Sequence, residues 1–314
     1  MKVTYVIPVY NERETLRPLV EGIIQYTQPH DCRILMVDDG STDGSYDVLC
    51  ALQDEFACVE VIRLRGNFGK SAALATGFSL TNGDVVITMD SDLQDDPKEI
   101  PRFFDKLDEG YDVVCGWKAR RFDPWHKVYP SRLYNGFVSG LFKLPLHDVN
   151  CGFKAMRTEV VKQIQVYGEM HRLIPVLAHN MNYKVGEIPV EHHKRQYGVS
   201  KYGFERFTRG AADVLTMWFL SRYQHAPGHF FGKLGLYQWG LGALSVVVGI
   251  AAGAWWHSTA IVFDALALAF VLAATGFITI GQGLMAELVL RHFIRIHPSL
   301  YAMDIDRVKQ SIEK

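Results

Sequence analysis

Thiol chemistry is what this sequence has least of. Its five cysteines, at 32, 50, 58, 115 and 151, are odd in number, widely spaced and without a CxxC pair. That pattern argues against a disulfide framework or a cysteine metal site and fits structural thiols in a reducing cytoplasm. An excess of one charge is missing too: 33 Lys and Arg stand against 34 Asp and Glu, a formal net charge of −1. Such a balance leaves no electrostatic footprint for nucleic acid. A secretory signal is not expected, because MKVTYVIPVYNER meets Pro8 and then charge before an apolar core can form. The P-loop spacing G-x-x-x-x-G-K-[ST] is absent, which removes the main support for a nucleoside triphosphatase. There is no internal repeat and no low-complexity segment.

Charge itself is absent from two stretches near the C-terminal end. LGLYQWGLGALSVVVGIAAGAWW (234–256) has none, and ALALAFVLAATGFITIGQGLM (265–285) has none between Asp264 and Glu287. Each run has roughly the length needed to cross a bilayer core. A pair of core helices in a soluble domain is the competing reading, disfavoured because the runs are too long and too charge-free for half-exposed helices. Two spans joined by a turn at 257–264 make a hairpin. Arg209, Arg222 and Lys233 precede it, Arg291, Arg295 and Arg307 follow it, and the turn has no Lys or Arg. The positive-inside rule then places the N-terminal domain and the tail in the cytoplasm, on the inner membrane. GFERFTRGAADVLTMWFLSRY (203–223) mixes Arg with apolar residues and reads as a packed helix or one lying in the membrane interface, its position just before the first span favouring the interface. Gly240, Gly242, Gly249 and Gly253 permit close helix packing, so a homo-oligomer is plausible. The expected divisions are a domain at 1–203, interface helices at 204–230, two transmembrane helices at 231–290 and a tail at 291–314.

What is present in the first part is alternation. KVTYVIPVY, CRILMVDDG, VEVIRLRG and DVVITMD read as strands. RETLRPLVEGIIQYTQ, STDGSYDVLCALQDEF and GKSAALATGFSLT read as the helices between them. Strands that are apolar on both faces and alternate with helices indicate a mostly parallel sheet with helices on both sides. From 111 to 156 the text is less periodic, basic and aromatic. TEVVKQI then reads as helical, and 168–192 as a helix and a strand. Every early strand ends in a polar cluster: Asn11-Glu12, Asp38-Asp39, Arg65-Gly66-Asn67 and Asp90-Ser91-Asp92. Parallel strands bring the four clusters to one edge, where ligands of such sheets bind.

VVITMDSDLQDDP (85–97) poses the sharpest question, since four aspartates end an apolar run. Like charges so close need a positive partner. Asp90 and Asp92 suit a hard divalent cation, Mg²⁺ or Mn²⁺, which takes one or two carboxylates and completes its shell with phosphate oxygens. Asp95 and Asp96 precede Pro97 and read as caps of the next helix. Asp38 and Asp39 open a turn, DDGSTDGS, and part of it serves turn and N-cap chemistry; a carboxylate at this strand end can also accept from the N–H of a nucleobase. NFGKSAAL brings Asn67 and Lys70 to a helix start that can approach a phosphate or a base. His171, His192 and His193 have no matched ligand spacing and read as packed or surface histidines. The aromatics at 122–137 can steer a lipid chain or simply pack.

With these segments in hand, the chain resembles the family 2 glycosyltransferases of the GT-A (Rossmann-like) fold. VIPVYNE, VDDGSTDGS, NFGKSAAL and MDSDLQ look like four of that family's segments, in order. DVNCGFKAM (148–156), MHRLIPVLA (170–178), RQYGVSKYGF (195–204) and the C-terminal hairpin narrow it to the polyprenyl-phosphate group, which contains dolichyl-phosphate mannose synthases and bacterial undecaprenyl-phosphate glucosyl and aminoarabinosyl transferases. The resemblance covers essentially the whole chain. It implies a nucleoside pocket of Pro8, Tyr10, Glu12 and Asp39, and a metal and diphosphate site of Asp90, Asp92 and Gln94. It implies a lid of Arg195, Ser200 and Lys201. The family usually has an arginine where Lys118 stands, so the acceptor phosphate falls to Lys118, Arg121 or Arg132. Asp148 keeps three possible roles: binding sugar hydroxyls, contacting a metal-bound water, or capping GFKAM. The QxxRW motif of processive members is not found, which disfavours a polymerase.

The implied reaction moves a hexose-type sugar, with inversion, from a nucleoside diphosphate sugar to polyprenyl phosphate. UDP is favoured over GDP. A phosphate monoester is already largely dianionic at neutral pH, so no general base is needed. The task is to align two anions and stabilise the leaving diphosphate. A hairpin this small is not expected to translocate the product, so a flippase and a later transferase are expected partners. Two rivals stay open: a nucleotidyltransferase or sugar-nucleotide hydrolase on the same scaffold, and a non-catalytic membrane scaffold.

Overall fold

The computed structural model describes residues 1–119, 125–193, 205–223 and 226–296, with backbone alone at 125–130, 205–211 and 291–296. Arg121, Arg195, Ser200 and Lys201 lie outside the described residues, as does Arg307. Chain contacts divide the molecule into two compact units, Met1–Trp218 and Phe219–Lys314.

The first unit begins with β1 (Lys2–Val9), α1 (Leu16–Thr27), β2 (Asp31–Asp38), α2 (Ser45–Glu55), β3 (Val59–Arg63), α3 (Lys70–Ser79) and β4 (Val85–Thr88). These are the elements that the alternating pattern predicts. A 3₁₀ turn (Pro97–Glu99) leads into α4 (Ile100–Asp108), and β5 (Val113–Trp117), α5 (Trp125–Phe142), β6 (Lys154–Arg157) and α6 (Thr158–Gln163) follow. A second 3₁₀ turn (Met170–Arg172), α7 (Ile174–Asn180) and β7 (Val185–Pro189) follow, and α8 (Glu205–Tyr223) runs through the division at Trp218. Helix faces follow the apolar spacing. In α4, Ile100, Phe103, Phe104 and Leu107 are buried at i, i+3, i+4 and i+7, and the Phe103 ring meets Phe153 at 4.3 Å.

The sheet has the order β3-β2-β1-β4-β6-β5-β7. β1, β2, β3 and β4 run parallel, β6 is antiparallel to both its neighbours, and β5 and β7 are parallel to each other. β5, α5 and β6 fall in the stretch that the sequence leaves without a pattern. β5 is a short strand in which Val113, Val114 and Cys115 are wholly buried, and β6 is placed by pairing across more than sixty residues with β4. Neither leaves a local period. Burial pushes the Cys115 and Cys151 thiols up to about 12, so both stay protonated, as structural thiols should.

The second unit holds α9 (Pro227–Trp255) and α10 (Thr259–Ile296), packed as a hairpin. Both are longer than the charge-free runs, because the helical pattern continues through the flanking polar turns. Both are long and apolar enough to cross a membrane, and their side chains are mostly exposed, which a soluble core helix would not allow. Gly242, Gly249 and Gly253 face α10; a Cβ on Gly249 would stand 2.2 Å from the Cβ of Ala265. Their small size is therefore used inside one chain, whereas Gly240 meets open space. The stretch expected to lie in the membrane interface forms α8, in which Val214 and Met217 are buried and Leu215 is exposed.

Candidate active site

The chain winds from β1 outward through β2 to β3, then returns to place β4 on the other side of β1. A crevice at such a reversal, beyond the carboxyl ends of the strands, is where ligands of these sheets bind. Pro8 to Glu12 leave β1 there and Asp90 to Gln94 leave β4. Between them Ser91 is buried: its Oγ donates to the Pro8 carbonyl at 3.1 Å and its carbonyl accepts from Thr15 Oγ1 at 2.5 Å. Ser91 thus anchors the loop, while the residues on either side of it are partly exposed.

On the β2 side, Asp39 is buried and its oxygens accept from the N–H groups of Phe68 at 2.7 Å and Gly69 at 2.9 Å. Burial raises its pKa and these two bonds oppose the rise. Asp39 therefore shapes the loop ahead of α3. Asn67 and Phe68 of that loop are exposed. Asn11, in the left-handed region at φ 53°, accepts from the Thr42 N–H at 2.8 Å, and the Glu12 N–H donates to Ser45 Oγ at 3.0 Å. Tyr10 is half-buried and Glu12 is buried beside these ties.

The positive partner of Asp90 is a lysine: Lys70, at the start of α3, makes an ion pair with it. Burial works against the Asp90 carboxylate, yet Lys70 and Lys118 hold it well below the usual carboxylate range. Lys70 is expected to approach a phosphate or a base; in the structure it pairs with Asp90. Asp92 Oδ1 accepts from the Gln94 N–H at 3.2 Å, and Gln94 Nε2 donates to the His193 carbonyl at 3.4 Å. The carboxylates of Asp90 and Asp92 and the amide of Gln94 could offer oxygen donors, the kind that Mg²⁺ or Mn²⁺ prefers. Space beside Asp90 is kept open by Gly152, where a Cβ would lie 2.7 Å from both carboxylate oxygens.

Asp95 departs from its expected role. It caps nothing: it is buried and pairs with Lys118 Nζ at 2.7 Å. Burial opposes the Lys118 ammonium, but Asp95, with Cys151 and Asp90 nearby, raises its pKa. Asp96 does cap, accepting from the Lys98 N–H at 3.0 Å. Asp96, Glu191 and His193 form an exposed group close enough to share a cation, and Lys98 Nζ already supplies one, 2.6 Å from Glu191. His192 is buried in a bridge to Asp95, and His171 Nδ1 lies 2.8 Å from Ser71 Oγ. Burial, then Lys70 and Arg172, depress the His171 pKa well below its ordinary value, so it is neutral.

Lys118 also lines a cavity of about 850 Å³ between the end of β5, α5 and segment 144–148. Arg132, Lys143 and His147 bring further basic groups to it, and Asn135 and Asp148 lie in its wall. Arg132 and Lys118, two of the three residues expected at an acceptor phosphate, therefore share one cavity. His147 stacks on Trp117 at 4.2 Å and bonds to Glu187 through Nδ1 and its backbone N–H. Leu133 and Phe137, one turn apart on α5, are exposed rather than packed. Sequence reasoning missed Asn135, Gly152 and the Asp95–Lys118 pair. Asn135 had a signal, since it falls in step with buried Val138 and Phe142 at i+3 and i+7.

Residues 4–165 match the model of Glycosyl transferase family 2. The chain belongs to that family. As a family 2 glycosyltransferase it is an enzyme, and its similarity to curated relatives runs nearly end to end. It is 34% identical to the dodecaprenyl-phosphate galacturonate synthase of Rhizobium johnstonii, over 94% of this chain and 89% of that protein. It is 32% identical to the undecaprenyl-phosphate 4-deoxy-4-formamido-L-arabinose transferase of Edwardsiella ictaluri, over 99% and 96%. In fold, this glycosyltransferase is similar to the glucosyl-3-phosphoglycerate synthase of Mycobacterium tuberculosis, solved with Mn²⁺ and UDP-glucose, at TM-score 0.54 and 17% identity over 70% of this chain and 79% of that one. That likeness bears out the expected mostly parallel GT-A sheet.

Proposed function

We propose that this enzyme transfers a hexose-type sugar from a nucleoside diphosphate sugar, UDP ahead of GDP, to polyprenyl phosphate at the cytoplasmic face of a membrane. The observation that carries the reading is the cavity lined by Lys118, Arg132 and Lys143, of which Lys118 also acts on Asp90, with Leu133 and Phe137 exposed on the same helix α5. Such a site suits a ligand with an anionic head and a hydrocarbon tail. The curated relatives, which by name act on dodecaprenyl and undecaprenyl phosphate, support the same acceptor.

In this reading the acceptor phosphate meets Arg132 and Lys118, with Arg121 to be tested beside them. Its oxygen attacks the anomeric carbon from the face opposite the diphosphate, which leaves with the bonding pair. The acceptor has little proton to lose near neutral pH, so no side chain acts as base. Asp90, Asp92 and Gln94 would hold Mg²⁺ or Mn²⁺, which when bound neutralises charge on the diphosphate. Lys70 then has a phosphate oxygen as an alternative partner to Asp90. Pro8, Tyr10, Glu12, Asp39 and Asn67 take the nucleoside side, and the resemblance gives Arg195, Ser200 and Lys201 the phosphate lid. Arginine and lysine on both sides keep two mutually repelling anions within reach of each other.

The test is label transfer. Detergent-solubilised full-length enzyme is incubated with Mg²⁺ or Mn²⁺, polyprenyl phosphate and a panel of labelled UDP- and GDP-sugars. Metal-dependent label in the organic phase with one donor is the expected result. Label released only as free sugar in water would overturn the acceptor and favour hydrolysis.

A further inference from the structure

The wall of the cavity contains a polar group that the phosphate chemistry does not use. Asn135 lies on the buried face of α5 and is 3% exposed. Its Nδ2 donates to Asp148 Oδ1 at 3.1 Å, and Asp148 is itself 1% exposed. This bond turns the amino end of the amide toward Asp148. The other end, Oδ1, is buried and has no hydrogen-bond donor among the described residues. A buried carbonyl oxygen in that state costs about 1–3 kcal/mol and calls for an explanation, most simply a ligand that donates to it.

We propose that Asn135 Oδ1 accepts a hydrogen bond from a hydroxyl of the transferred sugar, and that the Asn135–Asp148 pair selects the sugar. This rests on the sugar-transfer reading above. Two substrate groups compete for the cavity, and their chemistry separates them. The acceptor phosphate, largely dianionic, brings oxygens that accept, which suits Lys118, Arg132 and Lys143 and repels an amide oxygen beside a carboxylate. A sugar hydroxyl brings the donor that Asn135 Oδ1 lacks. The cavity therefore has basic groups for the phosphate and an acceptor pair for the sugar. Asn135 has a second effect: through Nδ2 it holds the Asp148 carboxylate in one orientation. A site built around a buried acceptor rejects an analogue without the hydroxyl far better than an apolar pocket does.

Calorimetric binding to the full-length enzyme in detergent, without lipid acceptor, tests this. Free UDP and GDP are compared with the panel of UDP- and GDP-sugars, and with single-deoxy versions of the donor that binds best. Wild type should bind one sugar nucleotide about 5- to 100-fold more tightly than the free nucleotide, and one deoxy analogue should lose that gain. Asn135→Ala should erase the gain, keep the affinity for free nucleotide, and no longer distinguish that deoxy analogue from its parent. A gain that survives in Asn135→Ala overturns the assignment. Should that variant fail to fold, the wild-type deoxy series decides alone, and equal binding of every deoxy donor overturns it. A gain lost in Asn135→Ala, with no donor labelling lipid in the transfer assay, upholds Asn135 and overturns the transferase reading. Lipid labelling with a surviving gain does the reverse.

Discussion

The two units bury opposite kinds of group. At the carboxyl edge of the sheet, charged side chains are inside: Asp95 is wholly buried against Lys118, and Asp39 is buried against two backbone N–H groups. In the hairpin Gly235, Gly242, Gly249 and Gly253 are inside and large apolar side chains are outside; Phe270 is 75% exposed and Val247 65%. A single burial rule cannot describe both. The first unit follows the rule for water, in which each buried charge finds a partner. The hairpin follows the rule for hydrocarbon, in which only close backbone approach and internal hydrogen bonds hold helices together. Trp239 shows this second rule, since its Nε1 donates to the Ala273 carbonyl at 3.1 Å across the two helices.

The largest expected effect breaks the polar edge at its function. Asp92→Ala should lower lipid labelling by about 10³-fold, because an interaction made to developing charge is lost. Unchanged transfer would remove Asp92 from the site. Next is the buried ion pair. Asp95→Ala leaves Lys118 charged without its partner and should cost about 3–5 kcal/mol of stability, whereas Asp95→Ala with Lys118→Met should recover most of it. Thermal melts of the three proteins in one detergent read this, and an additive double variant would refute the pairing. The hairpin supplies the contrast. Phe270→Asp places a charge on an exposed apolar face and should cost about 3 kcal/mol if that face meets lipid. The fraction of chain extracted from membranes by alkaline carbonate should rise, and no change would mean that the face is not in the bilayer.

The smallest effect sharpens the electrostatics of the edge. The Asp90 pKa is depressed in the folded chain, so the unfolded chain binds the extra proton first as pH falls. Its contribution is then fully present above the ordinary carboxylate range, near about pH 4, and is lost as pH falls toward the depressed value. The melting difference between wild type and Asp90→Asn should be flat from neutral pH down to that range and shrink below it. A difference that grows in acid would reverse the sign of the shift.

Much of the edge is legible in the sequence. Polar clusters at the ends of Val- and Ile-rich runs placed Glu12, Asp39, Asn67, Asp90 and Asp92 together, because parallel strands carry their carboxyl ends to the same side. The length and neutrality of 234–256 and 265–285 likewise announced the hairpin. The partners were less legible. Nothing local distinguishes Asp95, which pairs with Lys118 from another strand, from Asp96, which caps its own turn. Lys70 was visible as a cation at a helix start, but its choice of Asp90 depends on how α3 lies against β1 and β2.

The sequence by itself determined the element types of the first hundred residues, the carboxylates at the end of β4 and the apolar hairpin, because each is written in a short-range period or in the end of a strand. Only the tertiary structure decided the rest. The antiparallel insertion of β6, the pairing of Asp95 with Lys118, the approach of Gly152 to Asp90 and the orphan oxygen of Asn135 all join residues far apart along the chain. Their energies come from desolvation and close contact, which exist only once the sheet has brought those segments together.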